Sequence, residues 1–176
     1  MFSRELAFGL VVLTASSAAF AQAPKFGAPI AEADVAAWNI EIRPDGSGLP
    51  PGSGTAADGE KVYAAKCQSC HGEKGTGKPN DILVGGFDTL KTPDKPAVKT
   101  VGSFWPYSTT LFDYVRRAMP WNAPKSLSDA EVYAVSAYIL SLNNIIGAND
   151  TMDAATLPKV AMPNRDGFMP FPRNPR

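Results

Sequence analysis

Cys67-Gln68-Ser69-Cys70-His71 constrains this chain more than any other stretch, because it holds both cysteines and the sole histidine of the 176 residues. The spacing C-x-x-C-H is the pattern on which a c-type haem is covalently attached. Two thiols one helical turn apart can each form a thioether with a haem vinyl group, and the next residue sets an imidazole against the iron. A redox dithiol is the first competing reading, but it needs a surrounding βαβ pattern and none is visible. A zinc centre is the second. Its candidate ligands are only these three, where zinc usually takes four protein ligands or three plus water.

The N-terminus agrees with attachment outside the cytoplasm. Arg4 precedes an apolar run over residues 6–15, followed by Ala19-Phe20-Ala21, an A-x-A cleavage site. The expectation is a signal peptide over residues 1–21, cleaved after Ala21, and a periplasmic mature protein starting at Gln22. An uncleaved anchor is the alternative, but the run is short against the ~20 residues of a membrane span. Lysine plus arginine and aspartate plus glutamate both number 17. That balance gives no argument for nucleic acid or an anionic membrane surface as partner.

The 16 prolines and 15 glycines cluster towards the two ends, which are expected to be extended. Residues 22–53 read as an arm with a short helix within 30–38, a turn at Arg43-Pro44-Asp45-Gly46, and a Trp38/Ile40/Ile42 alternation suited to an extended segment. Residues 54–150 read as the haem domain. Its first helix starts near Thr55 and runs into Cys67, with Gly59 and Tyr63 on one face. Gly59 either admits a second helix at close range or is a tolerated surface glycine. A glycine-rich loop over residues 72–86 should wrap one edge of the cofactor, with Pro79 and Leu83 beside it. A second helix from Ser108 or Thr109 to Ala118 stops before Pro120. A third opens on the capping box Ser128/Glu131, places Val132, Val135, Tyr138, Ile139 and Leu142 on one face, and is followed by Gly147. Residues 151–176 form a proline-rich tail.

With one histidine, the iron's sixth ligand must be another residue type. Methionine thioether suits haem iron and raises its potential. Met119 is the first choice, at a helix end with Pro120 fixing the backbone behind it. Met162 in the tail is the alternative, as is an open five-coordinate iron. Trp105, Tyr107 and Trp121 flank Met119 and carry donors that could reach the haem propionates; the competing reading is ordinary core aromatics. His71 needs an acceptor for its second ring nitrogen, expected to be a backbone carbonyl near Pro79.

The order of helix, C-x-x-C-H, glycine loop, helix ending in methionine and long last helix resembles class I cytochrome c over residues 54–146. That resemblance implies an all-α fold in which the first and last helices cross, pairing Gly59 and Tyr63 with Tyr138. A narrower resemblance is carried by residues 43–54, by Gly102-Ser103-Phe104-Trp105-Pro106-Tyr107, by residues 116–120 and by residues 157–168. These are similar to the cytochrome subunits of sulfur dehydrogenase and sulfite dehydrogenase molybdenum proteins. The resemblance implies one covalent haem c, thioethers at Cys67 and Cys70, and His71 and Met119 as axial ligands. It implies a periplasmic electron-transfer subunit, not a catalyst on its own, fed by a molybdopterin-containing dehydrogenase and drained by a downstream cytochrome or oxidase. Some relatives carry two haem domains where this chain has one motif. A free electron shuttle without a dedicated partner and a haem enzyme, either a peroxidase or a thiosulfate-oxidising cytochrome, are the alternative functions.

Overall fold

The computed structural model describes residues 26–169; the expected leader and Pro170 onward, Phe171 included, lie outside them. Two units divide at Asn39. In the first, helix α1 spans Glu32–Trp38 with Glu32 and Asp34 in its first turn, where acids suit the helix dipole. Trp38 therefore closes a helix instead of opening the expected extended alternation, although Ile42 is buried.

The second unit builds from a short strand β1 (Ser53–Thr55), helix α2 (Ala56–Lys66), a single turn α3 (Gln68–His71), helix α4 (Ser108–Ala118), helix α5 (Asp129–Leu142) and strand β2 (Thr151–Asp153). Thr55 caps α2 by accepting from the Asp58 N–H at 3.1 Å. Ser128 and Glu131 close the anticipated capping box on α5. Helices α2 and α5 cross where Gly59 lies directly against the Ala134 carbonyl and Tyr138. The Tyr63 and Tyr138 rings sit 5.3 Å apart beside that crossing. The expected Gly59/Tyr63/Tyr138 pairing is therefore present, and α5 forms the centre of the core.

Three features depart from the sequence expectation. First, the fold is not purely helical: β1 pairs antiparallel with β2, Gly54 facing Met152. Second, α5 is buried almost all round, with Tyr133, Ala134, Ser136 and Leu140 enclosed as fully as its expected apolar stripe. The reason is the tail. Met152, Leu157, Val160 and Met162 are buried in the same core, so the segment after α5 belongs to the domain's own packing. The Ser108 hydroxyl donates to the Leu157 carbonyl at 2.6 Å, and the Asn164 amide to the Phe104 carbonyl at 2.7 Å. Phe168 meets the Phe104 ring edge-on. Third, α5 ends at Asn143, not at a glycine cap; the Asn143 side chain donates to the Ile139 carbonyl at 2.9 Å and so satisfies a helix-end acceptor. None of the described helices is long and apolar enough to cross a membrane.

Candidate haem site

Helix α2 delivers Cys67 as its terminal residue, the Cys67 N–H donating to the Tyr63 carbonyl at 2.9 Å. The chain then turns once. Cys70 and His71 both donate their N–H to the Cys67 carbonyl, at 3.1 and 3.0 Å. This single turn is the local structure that the C-x-x-C-H spacing calls for. The following loop folds back on it: Gly77 N–H reaches the His71 carbonyl at 2.8 Å and Asn80 N–H the Cys70 carbonyl at 2.9 Å. The Tyr63 hydroxyl donates to the Gly72 carbonyl at 2.9 Å, tying the loop to α2.

His71 Nδ1 lies 2.9 Å from the Asp81 carbonyl, two residues beyond the expected Pro79 region. A carbonyl only accepts, so Nδ1 carries the proton and Nε2 keeps its lone pair for a metal. Cys67 and Cys70 are unpaired thiols. Burial pushes the Cys67 thiol up to about 11, with the neighbouring Cys70 adding to the shift. A redox dithiol lowers a cysteine's pKa; this environment does the reverse. Among the described residues no cluster of three or more histidine, cysteine, aspartate or glutamate side chains could hold a bare metal ion.

Both cysteines and His71 line one cavity of about 850 Å³, within the range of small-molecule and cofactor sites. Of the other residues singled out, Pro79, Leu83, Trp105, Met119 and Trp121 line the same cavity. Tyr107 does not; its ring lies under the Arg165 guanidinium at 4.4 Å. It precedes α4 as a cap residue in extended conformation, so its side chain does not follow the helical face that carries Leu111 and Val115. Tyr114, seven residues further on and within α4, does line the cavity and meets Trp105 edge-on at 5.6 Å. Leu111 and Val115 from α4 and Val135 and Ile139 from α5 complete an apolar wall. Val135 and Ile139 belong to the apolar stripe expected on α5, but the sequence does not show that this stripe fronts the cavity.

Met119 ends α4 in extended conformation, as a residue before proline must, with its N–H still bonded to the Val115 carbonyl at 3.1 Å. It is the single methionine among the described ones that lines the cavity. Met152 and Met162 are enclosed in the protein core and Met169 is exposed. The residues therefore fit a c-type haem: paired thiols, an imidazole with a free nitrogen, a thioether and an apolar enclosure. Met119→Ala is expected to abolish the weak long-wavelength charge-transfer band of methionine-ligated ferric haem and to lower the potential. Met162→Ala should keep the band while costing about 2–5 kcal/mol of stability as a core truncation. The reverse pattern in the two spectra would assign the ligand to Met162.

Comparison with known proteins points the same way. The family model described as cytochrome C oxidase, cbb3-type, subunit III matches residues 54–139. A thiosulfate dehydrogenase of Psychrobacter arcticus is 30% identical over 116 residues, which are 64% of this chain and 35% of that protein. A thiosulfate dehydrogenase of Allochromatium vinosum is 26% identical over 132 residues, 75% of this chain and 44% of that one. The chain thus spans less than half the length of these two curated relatives. The crystal structure of the sulfane dehydrogenase SoxCD from Paracoccus pantotrophus superposes with a TM-score of 0.77 at 36% identity, covering 85% of this chain and 73% of that chain. With a helix crossing at Gly59, a C-x-x-C-H turn and a methionine on one apolar cavity, and a relative this similar over most of its length, the chain belongs to the c-type cytochromes.

Proposed function

We propose that this protein is a periplasmic monohaem cytochrome that accepts electrons one at a time from a molybdenum-containing sulfur or sulfite dehydrogenase and passes them to a downstream cytochrome or oxidase. The observation that carries this reading is the convergence of Cys67, Cys70, His71 and Met119 on a single cavity. Cys67 and Cys70 would hold the haem c through thioethers, and His71 Nε2 and the Met119 sulfur would be its axial ligands. When bound, the cofactor supplies a one-electron iron couple. The chain's own residues do the rest. Asp81 orients the imidazole, the Leu111, Val115, Val135 and Ile139 walls exclude water, and Pro79, Leu83, Trp105 and Trp121 border the ring.

The similarity to SoxCD supports a dehydrogenase as donor. Export with cleavage after Ala21 follows from the leader and from where c-type haem is attached. The tail's buried anchors Leu157, Val160 and Met162 are committed to the chain's own core. We therefore assign partner docking to the part of the arm before Ile40, where Phe26, Ile30 and Trp38 are exposed, and to residues beyond Gly167, where Phe168 and Met169 are exposed; residues 40–53 pack on the haem domain itself, Ile42 being buried in its core.

A second reading is favoured by the name of the two curated relatives: the haem itself would take electrons from thiosulfate. One spectroscopic experiment separates the two. In the first reading, thiosulfate or sulfite alone leaves the ferric protein unreduced, and a copurifying molybdenum subunit makes reduction substrate-dependent. Reduction by thiosulfate without any second subunit would establish the second. Failure to copurify with, or accept electrons from, any molybdenum subunit would leave a free shuttle.

A further inference from the structure

Asn143, the residue that caps the end of α5, is 2% exposed and uses both the oxygen and the nitrogen of its carboxamide on a loop about sixty positions earlier. Its Oδ1 accepts from the Gly85 N–H at 3.1 Å, and its Nδ2 donates to the Leu83 carbonyl at 3.2 Å and the Ile139 carbonyl at 2.9 Å. The orientation is unambiguous, because an N–H can only donate and a carbonyl only accept. The side-chain amide thereby pairs with residues 83 and 85 as a neighbouring backbone would.

Two more bonds hold the same loop. The Thr100 hydroxyl donates to the Gly85 carbonyl at 2.6 Å, and the Val101 N–H to the Leu83 carbonyl at 3.3 Å. Gly102 packs against the Asn143 carboxamide so closely that a Cβ there would overlap Oδ1. Three segments converge on Asn143: the end of α5, residues 83–85 and residues 100–102. The first of these loops also carries the Asp81 carbonyl, 2.9 Å from His71 Nδ1, with Ile82 alone between Asp81 and Leu83.

We infer that Asn143 is a positioning residue for the iron's imidazole ligand: it clamps residues 83–85, which holds the Asp81 carbonyl on His71 Nδ1 and so sets how strongly His71 donates to the metal. The inference rests on His71 being an axial ligand. An imidazole whose Nδ1–H is firmly held is the more basic ligand. A more basic ligand favours the oxidised iron, so releasing the clamp raises the reduction potential.

The test uses the full, haem-loaded protein with Asn143→Ala. The expected result is retained covalent haem, a retained methionine–iron band, an upward shift in potential and faster solvent exchange of the His71 Nδ1 proton by NMR. Unchanged potential and exchange, even with a lower melting temperature, would reduce Asn143 to a packing role and overturn the inference. A downward shift would report water entering the cavity and overturn it equally. Should the variant fail to fold, native-state hydrogen exchange on the unaltered protein decides. The His71 Nδ1 and Gly85 amide protons should open together with one denaturant dependence; separate openings would overturn the clamp. Absence of covalent haem in the unaltered protein would sink this inference together with the reading beneath it.

Discussion

Cys67→Ala combined with Cys70→Ala is expected to give protein without retained haem, whereas each single substitution keeps one thioether. The unaltered protein should hold its haem through acid–acetone extraction, and its pyridine haemochrome should report both vinyl groups saturated. Each single variant should report one vinyl unsaturated. The size of the effect follows from what the tethers do. A covalent link makes ligation intramolecular, at an effective concentration far above any free haem level. The cavity they serve is large, about 850 Å³, and walled by Leu83, Leu111, Val115, Val135 and Ile139. Without its occupant these side chains face water. A domain loses the linkage stabilisation of a tightly bound ligand when that ligand goes. The double variant should therefore also melt earlier and expose hydrophobic surface. Haem extractable from the unaltered protein would end the c-type assignment.

The parts of this protein that were legible beforehand are those governed by local chemistry. The C-x-x-C-H turn reads directly because one helical turn is its geometry. The start of α5 reads because Ser128 and Glu131 sit three apart in a capping box. Met119 reads because a helix must end before Pro120. What stayed hidden depends on partners remote in the sequence. Strands β1 and β2 are three residues each, Ser53-Gly54-Thr55 and Thr151-Met152-Asp153, and neither shows an alternation that outweighs its turn-like neighbours. Each becomes a strand only because the other returns to it. Leu157, Val160 and Met162 have no helical or strand period and are interrupted by proline, so their burial could not be inferred from pattern. Covering by β1, β2 and the tail is also why α5 is enclosed beyond its predicted stripe. Asn143 reads as an ordinary polar residue until residues 83–85 are placed beside it.

Gly59→Val should unfold the domain or come close to it, and Gly59→Ala should destabilise it too. A Cβ at position 59 would overlap the Ala134 carbonyl oxygen and stand 2.5 Å from the Ala134 carbonyl carbon and 2.8 Å from Tyr138 Cβ. Two of these obstacles are backbone atoms of the central helix, which cannot swing away as a flexible side-chain tip can. Helices α2 and α5 must separate, and the Tyr63–Tyr138 contact with them. Overpacking costs typically 1–3 kcal/mol and occasionally more; a backbone clash at the principal helix crossing belongs at or above ~3 kcal/mol. Against a usual margin of ~5–15 kcal/mol, that is a large fraction of the stability. The alanine variant makes the sign decisive. Helix propensity alone would reward Gly→Ala at a mid-helix position by about 1 kcal/mol. Close approach predicts the opposite sign, read as a lower urea midpoint at unchanged slope. A stabilised Gly59→Ala protein would show that position 59 tolerates a methyl group and that the crossing is looser than described. The same displacement should reach the cofactor, because α2 ends in Cys67 while α5 contributes Val135 and Ile139 to the cavity wall. Prying the two helices apart moves the first thioether site away from the wall it faces, so the haem spectrum of any surviving Gly59→Val protein should lose its methionine–iron band along with its stability.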